Sequence, residues 1–294
     1  MQEFAQQTLS GIASGSLFAI LALAIVLIYR STSVLNFAQG EMAMFTTFIA
    51  WSLMTRMDFW LAFALAILVS AAIGAALERL VLRPVENAPV LNSVIVTLGL
   101  FTIFNGLALW IWGAQPKGFG PFSVFKGDPI CTADVCIGRL NVGILVVSFI
   151  VMVLLYVLFQ RTRLGLAMRA TAENRLASQL VGIPIGNMLT LGWALSAGVG
   201  AVAGVLVAQS VSLTTSSLFS ILLYAFAAAV LGGLNSPPGA IVGGIIIGVA
   251  KNWAATYVPS AVGNVDLTLA FAMIVIVLMI RPTGLFGRPP ARRV

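Results

Sequence analysis

The sequence predicts an all-α, polytopic membrane protein, a bundle of about eight to ten crossings within one transmembrane domain over residues 1–294. Three observations carry that prediction. Hydrophobic residues make up 60% of the chain and charged ones 9%, where a soluble domain has about a quarter of its residues charged. The mean hydropathy is +1.05. The charges that exist fall between apolar runs rather than within them, so 16 Lys and Arg against 9 Asp and Glu read as a topology signal and not as a nucleic-acid surface.

In chain order, Met1 to Thr8 lacks a basic n-region and a small-residue cleavage pattern, so the first apolar run is expected to remain as a helix. Candidate crossings are 9–29, 42–55, 60–81, 91–112, 141–159, 187–209, 218–233, 240–257 and 265–280. The second, seventh and ninth are short, which marks them as partial or re-entrant segments. The stretch 161–186, RTRLGLAMRATAENRLASQLVGIPIG, holds Arg161, Arg163, Arg169, Glu173 and Arg175, so it is an aqueous loop. Counting Lys and Arg with this loop on the cytoplasmic side puts Arg30, Arg79, Arg83, Arg281, Arg288, Arg292 and Arg293 there too. Only Arg56, Lys117, Lys126 and Arg139 fall outside, which sets the N-terminus outside and the C-terminus inside.

Within the loop, Thr171 is the expected cap of a short helix that Gly182 and Pro184 end. On that helix Leu176, Leu180 and Ile183 form one apolar stripe at i, i+4 and i+7. The stripe packs either on the protein's own helices or on another subunit. The external loop 113–140 holds both cysteines, Cys131 and Cys136, as a disulfide or as two free thiols. Polar groups at membrane depth are few: Asn36, Gln39 and Glu41 after the first helix, Asn105 mid-segment and Lys251. The run with Asn36, Gln39 and Glu41 is read as capping a helix end or lining a cavity, with Asn36 or Ser33 as the cap, and Asn105 as helix-to-helix glue or a substrate contact, with Lys251 also able to snorkel to the interface. Glu78, beside Arg79 and Arg83, reads as an interfacial residue. Gly11/Gly15, Gly200/Gly204, Gly239/Gly243 and Gly244/Gly248 are G-x-x-x-G pairs for close helix packing.

Absences narrow the chemistry. With no histidine there is no Ser-His pair or HExxH site, and two thiols do not make a zinc site. With no Gly-Lys dipeptide there is no Walker A loop, so any work done with ATP falls to another chain.

Four runs carry a resemblance. RATAENRLASQLVGIP, NFAQGE, LGGLNSPPGAIVGGIIIG and RPTGLFG are similar to stretches of LivH-type permease subunits of the branched-chain (hydrophobic) amino acid ABC transporter family. In the third run Asn235, Pro237 and Pro238 fill the variable places. The runs span residues 36 to 287, essentially the whole chain. The resemblance implies an ABC importer permease fold and a non-enzymatic translocation subunit in a bacterial inner membrane. It implies a second homologous, LivM-like permease, two ABC ATPase subunits that bind ATP and Mg, and a periplasmic substrate-binding protein. It makes Arg169, Glu173, Arg175, Leu176, Leu180, Gly182 and Ile183 the ATPase-coupling residues. Branched-chain or other hydrophobic amino acids, or related small amides, would be the cargo, with no cofactor in this chain and no nucleic acid partner. The rival reading is a self-sufficient secondary carrier or channel for a small polar solute.

Overall fold

Helices account for most of the described residues in the computed structural model, which describes residues 2–32, 34–86, 88–132, 135–257 and 265–287. They are α1 (Gln2–Thr32), α2 (Gln39–Met54), α3 (Phe59–Leu77), α4 (Val90–Trp112), α5 (Arg139–Arg161), α6 (Arg163–Glu173), α7 (Arg175–Leu180), α8 (Ile185–Ser210), α9 (Ser217–Gly232), α10 (Pro237–Tyr257) and α11 (Val265–Ile280). Each of the nine apolar segments read from the sequence is one of these helices, and α6 and α7 fill the charged interruption. Among the described residues six helices are long and apolar enough to cross a membrane: α1, α3 with its extension to Val85, α4, α5, α8 and α10. The three left over are α2, α9 and α11, the ones whose apolar runs are short in the sequence. The basic residues Arg288, Arg292 and Arg293, on which the orientation count partly rests, and Ser33 lie outside the described residues.

The chain divides into two compact units. The first comprises residues 1–26, 125–149 and 221–294, and the second 27–124 and 150–220.

In the first unit, bare backbone lets α1 and α10 touch. A Cβ on Gly11 would lie 2.7 Å from Val249 Cα, and one on Gly15 would lie 2.8 Å from Gly244 O. Gly239 and Gly243 meet α9 the same way, against Gly232 and Ala228. These G-x-x-x-G pairs are therefore used for packing inside one chain. The double proline opens α10, with Pro237 as its first residue, where fixed φ suits a helix start, and Ser236 Oγ accepts from Gly239 N at 3.1 Å. The RPTGLFG run folds back onto that turn. Leu285 N donates to Leu231 O at 2.9 Å and Phe286 N to Gly232 O at 3.1 Å, with Gly233 (φ 103°) and Gly284 (φ 81°) supplying left-handed backbone where the two strands of chain cross. An antiparallel hairpin, β1 (Ile130–Thr132) with β2 (Val135–Ile137), pairs Cys131 with Cys136, and a disulfide joins them. The Gln6 amide of α1 holds the hairpin at two points, its Nε2 donating to Cys136 O (2.5 Å) and its Oε1 accepting from Cys136 N (3.1 Å).

In the second unit, α8 is the central helix, packed along α3 and α2. Small residues again set the approach. Gly74 of α3 faces Trp193 O and Ala197 of α8, and Gly204 of α8 faces Thr47 and Ala43 of α2. Ser70 Oγ crosses the α3–α8 contact to donate to Ala197 O at 2.7 Å. The outer faces of α3 and α4 expose Leu68, Ile95, Ile103 and Trp110, the surface expected to meet lipid.

Candidate functional site

The charged interruption is two helices and not one. Thr162 Oγ1 caps α6 by accepting from Gly165 N at 3.1 Å. Thr171, expected to be a cap, lies inside α6 and its hydroxyl donates back to Ala167 O at 2.9 Å. The cap of the second helix is Asn174, which takes extended backbone (φ −151°, ψ 103°) and accepts from Ala177 N at 3.1 Å. An Asx side chain at a break in the helix serves the free N–H groups that Thr171, turned into the helix, does not reach. Gly165, Met168 and Thr171 are the buried face of α6.

The apolar stripe is correspondingly altered. Leu176 is 75% exposed and Leu180 89%, as the spacing requires, but α7 ends at Leu180. Ile183 then falls past the Gly182 turn (φ 81°), half-buried, its N–H donating to Ser178 O at 2.9 Å. Val181, 75% exposed, takes the third place, which an i, i+4, i+7 count misses because the helix stops short. Glu173 is exposed on the same segment. Arg169 reaches back to α5, its Nη1 donating to Gln160 Oε1 at 3.1 Å. Arg175 is turned away from the exposed tip: Nη1 meets Glu86 Oε1 at 2.8 Å and Nη2 donates to Ser31 O at 3.0 Å, in the last turn of α1.

A second cluster lies at the end of α3, where a π-helical turn runs from Glu78 to Leu82 and a 3-10 turn from Arg83 to Val85. In an α-helix residues five apart point about 140° away from each other around the axis. The π turn lines them up, and Arg83 Nε meets Glu78 Oε1 at 3.4 Å. Thr190 of α8 completes the set, its hydroxyl donating to Glu78 Oε2 at 2.5 Å and accepting from Arg83 Nη2 at 3.3 Å. Glu78 is thus buried, 2% exposed, held against α8 rather than open to water. Glu78, Arg83, Glu86 and Arg175 line one pocket of about 60 Å³ together with Asn36 and Trp193.

The third group is neutral but for one carboxylate. Asn36 Oδ1 accepts from Ala38 N (3.0 Å) and its Nδ2 donates to Gln39 Oε1 (3.3 Å). Gln39 joins α2 to α8, donating to Ser196 O at 3.2 Å and accepting from Ser196 Oγ at 3.1 Å. Asn105 of α4 donates to Glu41 Oε2 at 3.2 Å and to Thr215 O at 3.0 Å. Four of the five polar candidates therefore meet in the second unit. Lys251 belongs to the other, its amine 5.5 Å from the centre of the Tyr224 ring.

A multi-pass membrane protein with polar groups satisfied between its helices, and an apolar knob on a short helix outside them, is the class these features define. The chain belongs to the family described as branched-chain amino acid transport system / permease component, whose model matches residues 7–280. It is 30% identical to the high-affinity branched-chain amino acid transport system permease protein LivH of Salmonella typhimurium, covering 99% of this chain and 98% of that one. It is 31% identical to the permease protein BraD of Pseudomonas aeruginosa, over the same shares. A solved structure, PsaBC from Streptococcus pneumoniae in complex with Fab, matches with a TM-score of 0.48 at 15% identity, over 95% of this chain and 92% of that one.

Proposed function

We propose that this permease component moves branched-chain or other hydrophobic amino acids, or related small amides, from the periplasm to the cytoplasm across a bacterial inner membrane, with its N-terminus outside and its C-terminus inside. Two ABC ATPase subunits bind ATP and Mg and supply the energy. A homologous LivM-like permease completes the path, and a periplasmic binding protein delivers the cargo. The chain itself performs no catalysis and holds no cofactor.

The observation that carries this reading is the tip of α7, where Leu176, Leu180 and Val181 stand clear of the protein just after Arg161, Arg163, Arg169 and Arg175. Burying each such side chain stabilises an interface by about 1.5–3 kcal/mol. Three within six residues make an anchor for a groove in another subunit. The family relatives named LivH and BraD are high-affinity branched-chain amino acid permease proteins, which supports the cargo assignment.

The test is co-purification. Tagged protein should bring down two ATPases whose hydrolysis rises with a loaded binding protein, and Leu176→Asp with Leu180→Asp should abolish that association while membrane insertion persists. Full association of the double variant ends the docking assignment. Transport of cargo by the chain alone in liposomes ends the importer reading in favour of a self-sufficient carrier.

A further inference from the structure

We propose that the Arg175–Glu86 ion pair is the lever through which force on α7 reaches the helix bundle, with Arg83, Glu78 and Thr190 as its inner arm. The proposal rests on α7 being the docking helix. Arg175 is the first residue of that helix, and its guanidinium is a two-point clamp, one nitrogen on Glu86 and the other on the Ser31 carbonyl at the end of α1. Glu86 closes the 3-10 turn that Arg83 opens, its N–H donating to Arg83 O at 3.2 Å. A displacement of Glu86 is therefore carried three residues back to Arg83, and from there to the buried carboxylate of Glu78 on α3 and the hydroxyl of Thr190 on α8.

Three features make this a moving part and not only glue. The outer pair is partly wet, with side-chain exposures of 40% for Arg175 and 29% for Glu86, so it breaks and re-forms at low cost, whereas the inner pair sets Arg83 (42%) on the buried Glu78 carboxylate (3%) and holds. The π turn departs from the regular helical path at the point where Arg83 meets Glu78, and such irregular turns are frequent at functional sites. Gly186, the second residue of α8, leaves room for the guanidinium, since a Cβ there would lie 2.7 Å from Arg83 Nη2. Asn36, which starts the polar seam between α2 and α8, lines the same pocket as the four charged groups, so the seam adjoins the lever's inner end.

The experiment uses the co-purified complex in proteoliposomes, with labelled leucine on the binding protein, and scores ATPase association and uptake separately. Glu86→Ala should retain the ATPases at the unsubstituted ratio while uptake falls at least tenfold. Arg175→Ala combined with Glu86→Ala should be no worse than the poorer single variant, because the two act as a unit. Gly186→Ala, which keeps every charge and displaces only the Arg83 head group, should also lower uptake with assembly intact.

Uptake by Glu86→Ala within twofold of the unsubstituted complex overturns the lever, as does a double variant whose loss is the product of the single losses. Loss of the ATPases from Glu86→Ala overturns it too, by making the pair part of the docking platform. Docking itself fails separately: in that case the Leu176→Asp, Leu180→Asp variant keeps its ATPases, whatever Glu86→Ala does.

Discussion

Two polar groups within the second unit solve the same problem in opposite ways. Along α2 and α8, Asn36, Gln39 and Ser196 join helices through neutral amides and a hydroxyl, all of them buried. At the ends of α3 and α7, Glu78, Arg83, Glu86 and Arg175 use full charges, three of them partly open to water. The difference teaches where each device is affordable. An amide exchanged for another amide in a closed interface loses little on burial, whereas a charge loses several kcal/mol unless water or a close partner remains. The seam therefore fixes two helices for good, and the Arg175–Glu86 pair joins parts that are free to separate.

The largest effect is expected where the seam's geometry is broken. Gly204→Val drives a branched side chain into Thr47 and the Ala43 carbonyl, and should destabilise the protein by about 3 kcal/mol, read as a lowered unfolding midpoint in detergent. Next, Gln39→Leu removes the Oε1 that accepts from Asn36 Nδ2 and Ser196 Oγ and the amide that donates to Ser196 O, at a cost of about 2 kcal/mol by the same assay. A loss under 0.5 kcal/mol there would erase the distinction between seam and cluster. Glu86→Ala should cost below about 1 kcal/mol of stability, because its pair is screened. Raising salt from 0.1 to 1 M, which shortens the screening length from about 10 to about 3 Å, should shrink that cost while leaving the Gln39→Leu value unchanged. The smallest effect is expected at the hairpin. Replacing Cys131 and Cys136 by Ser should leave the midpoint in place and raise amide exchange only around β1 and β2, since the hairpin is exposed and attached to α1 through Gln6.

Much of this architecture was legible before any coordinates. Runs of apolar residues bounded by Arg30, Arg56, Arg79 and Arg161 mark the helices, because a charge cannot remain in hydrocarbon whatever the neighbours are. Leu176 and Leu180 were legible as an exposed pair for a similar reason: four residues along a helix is one face. Three features were not. The break at Asn174 escaped because Thr171 and Asn174 are both capable caps, and only the burial of Thr171 within α6, its hydroxyl on Ala167 O, decides between them. The inward turn of Arg175 escaped because its partners, Glu86 and Ser31, are far away in sequence. The burial of Glu78 escaped because α-helical spacing sets it apart from Arg83, and no local pattern announces a π turn.

The sequence alone determined that this chain lies in a membrane, where its apolar segments fall, and which short segment carries an apolar stripe, since all three follow from transfer free energies that add residue by residue. Tertiary structure alone decided which polar side chains meet. Those meetings depend on the distance at which helices pack, which glycine sets, and on the register of one irregular turn, and neither is additive along the chain.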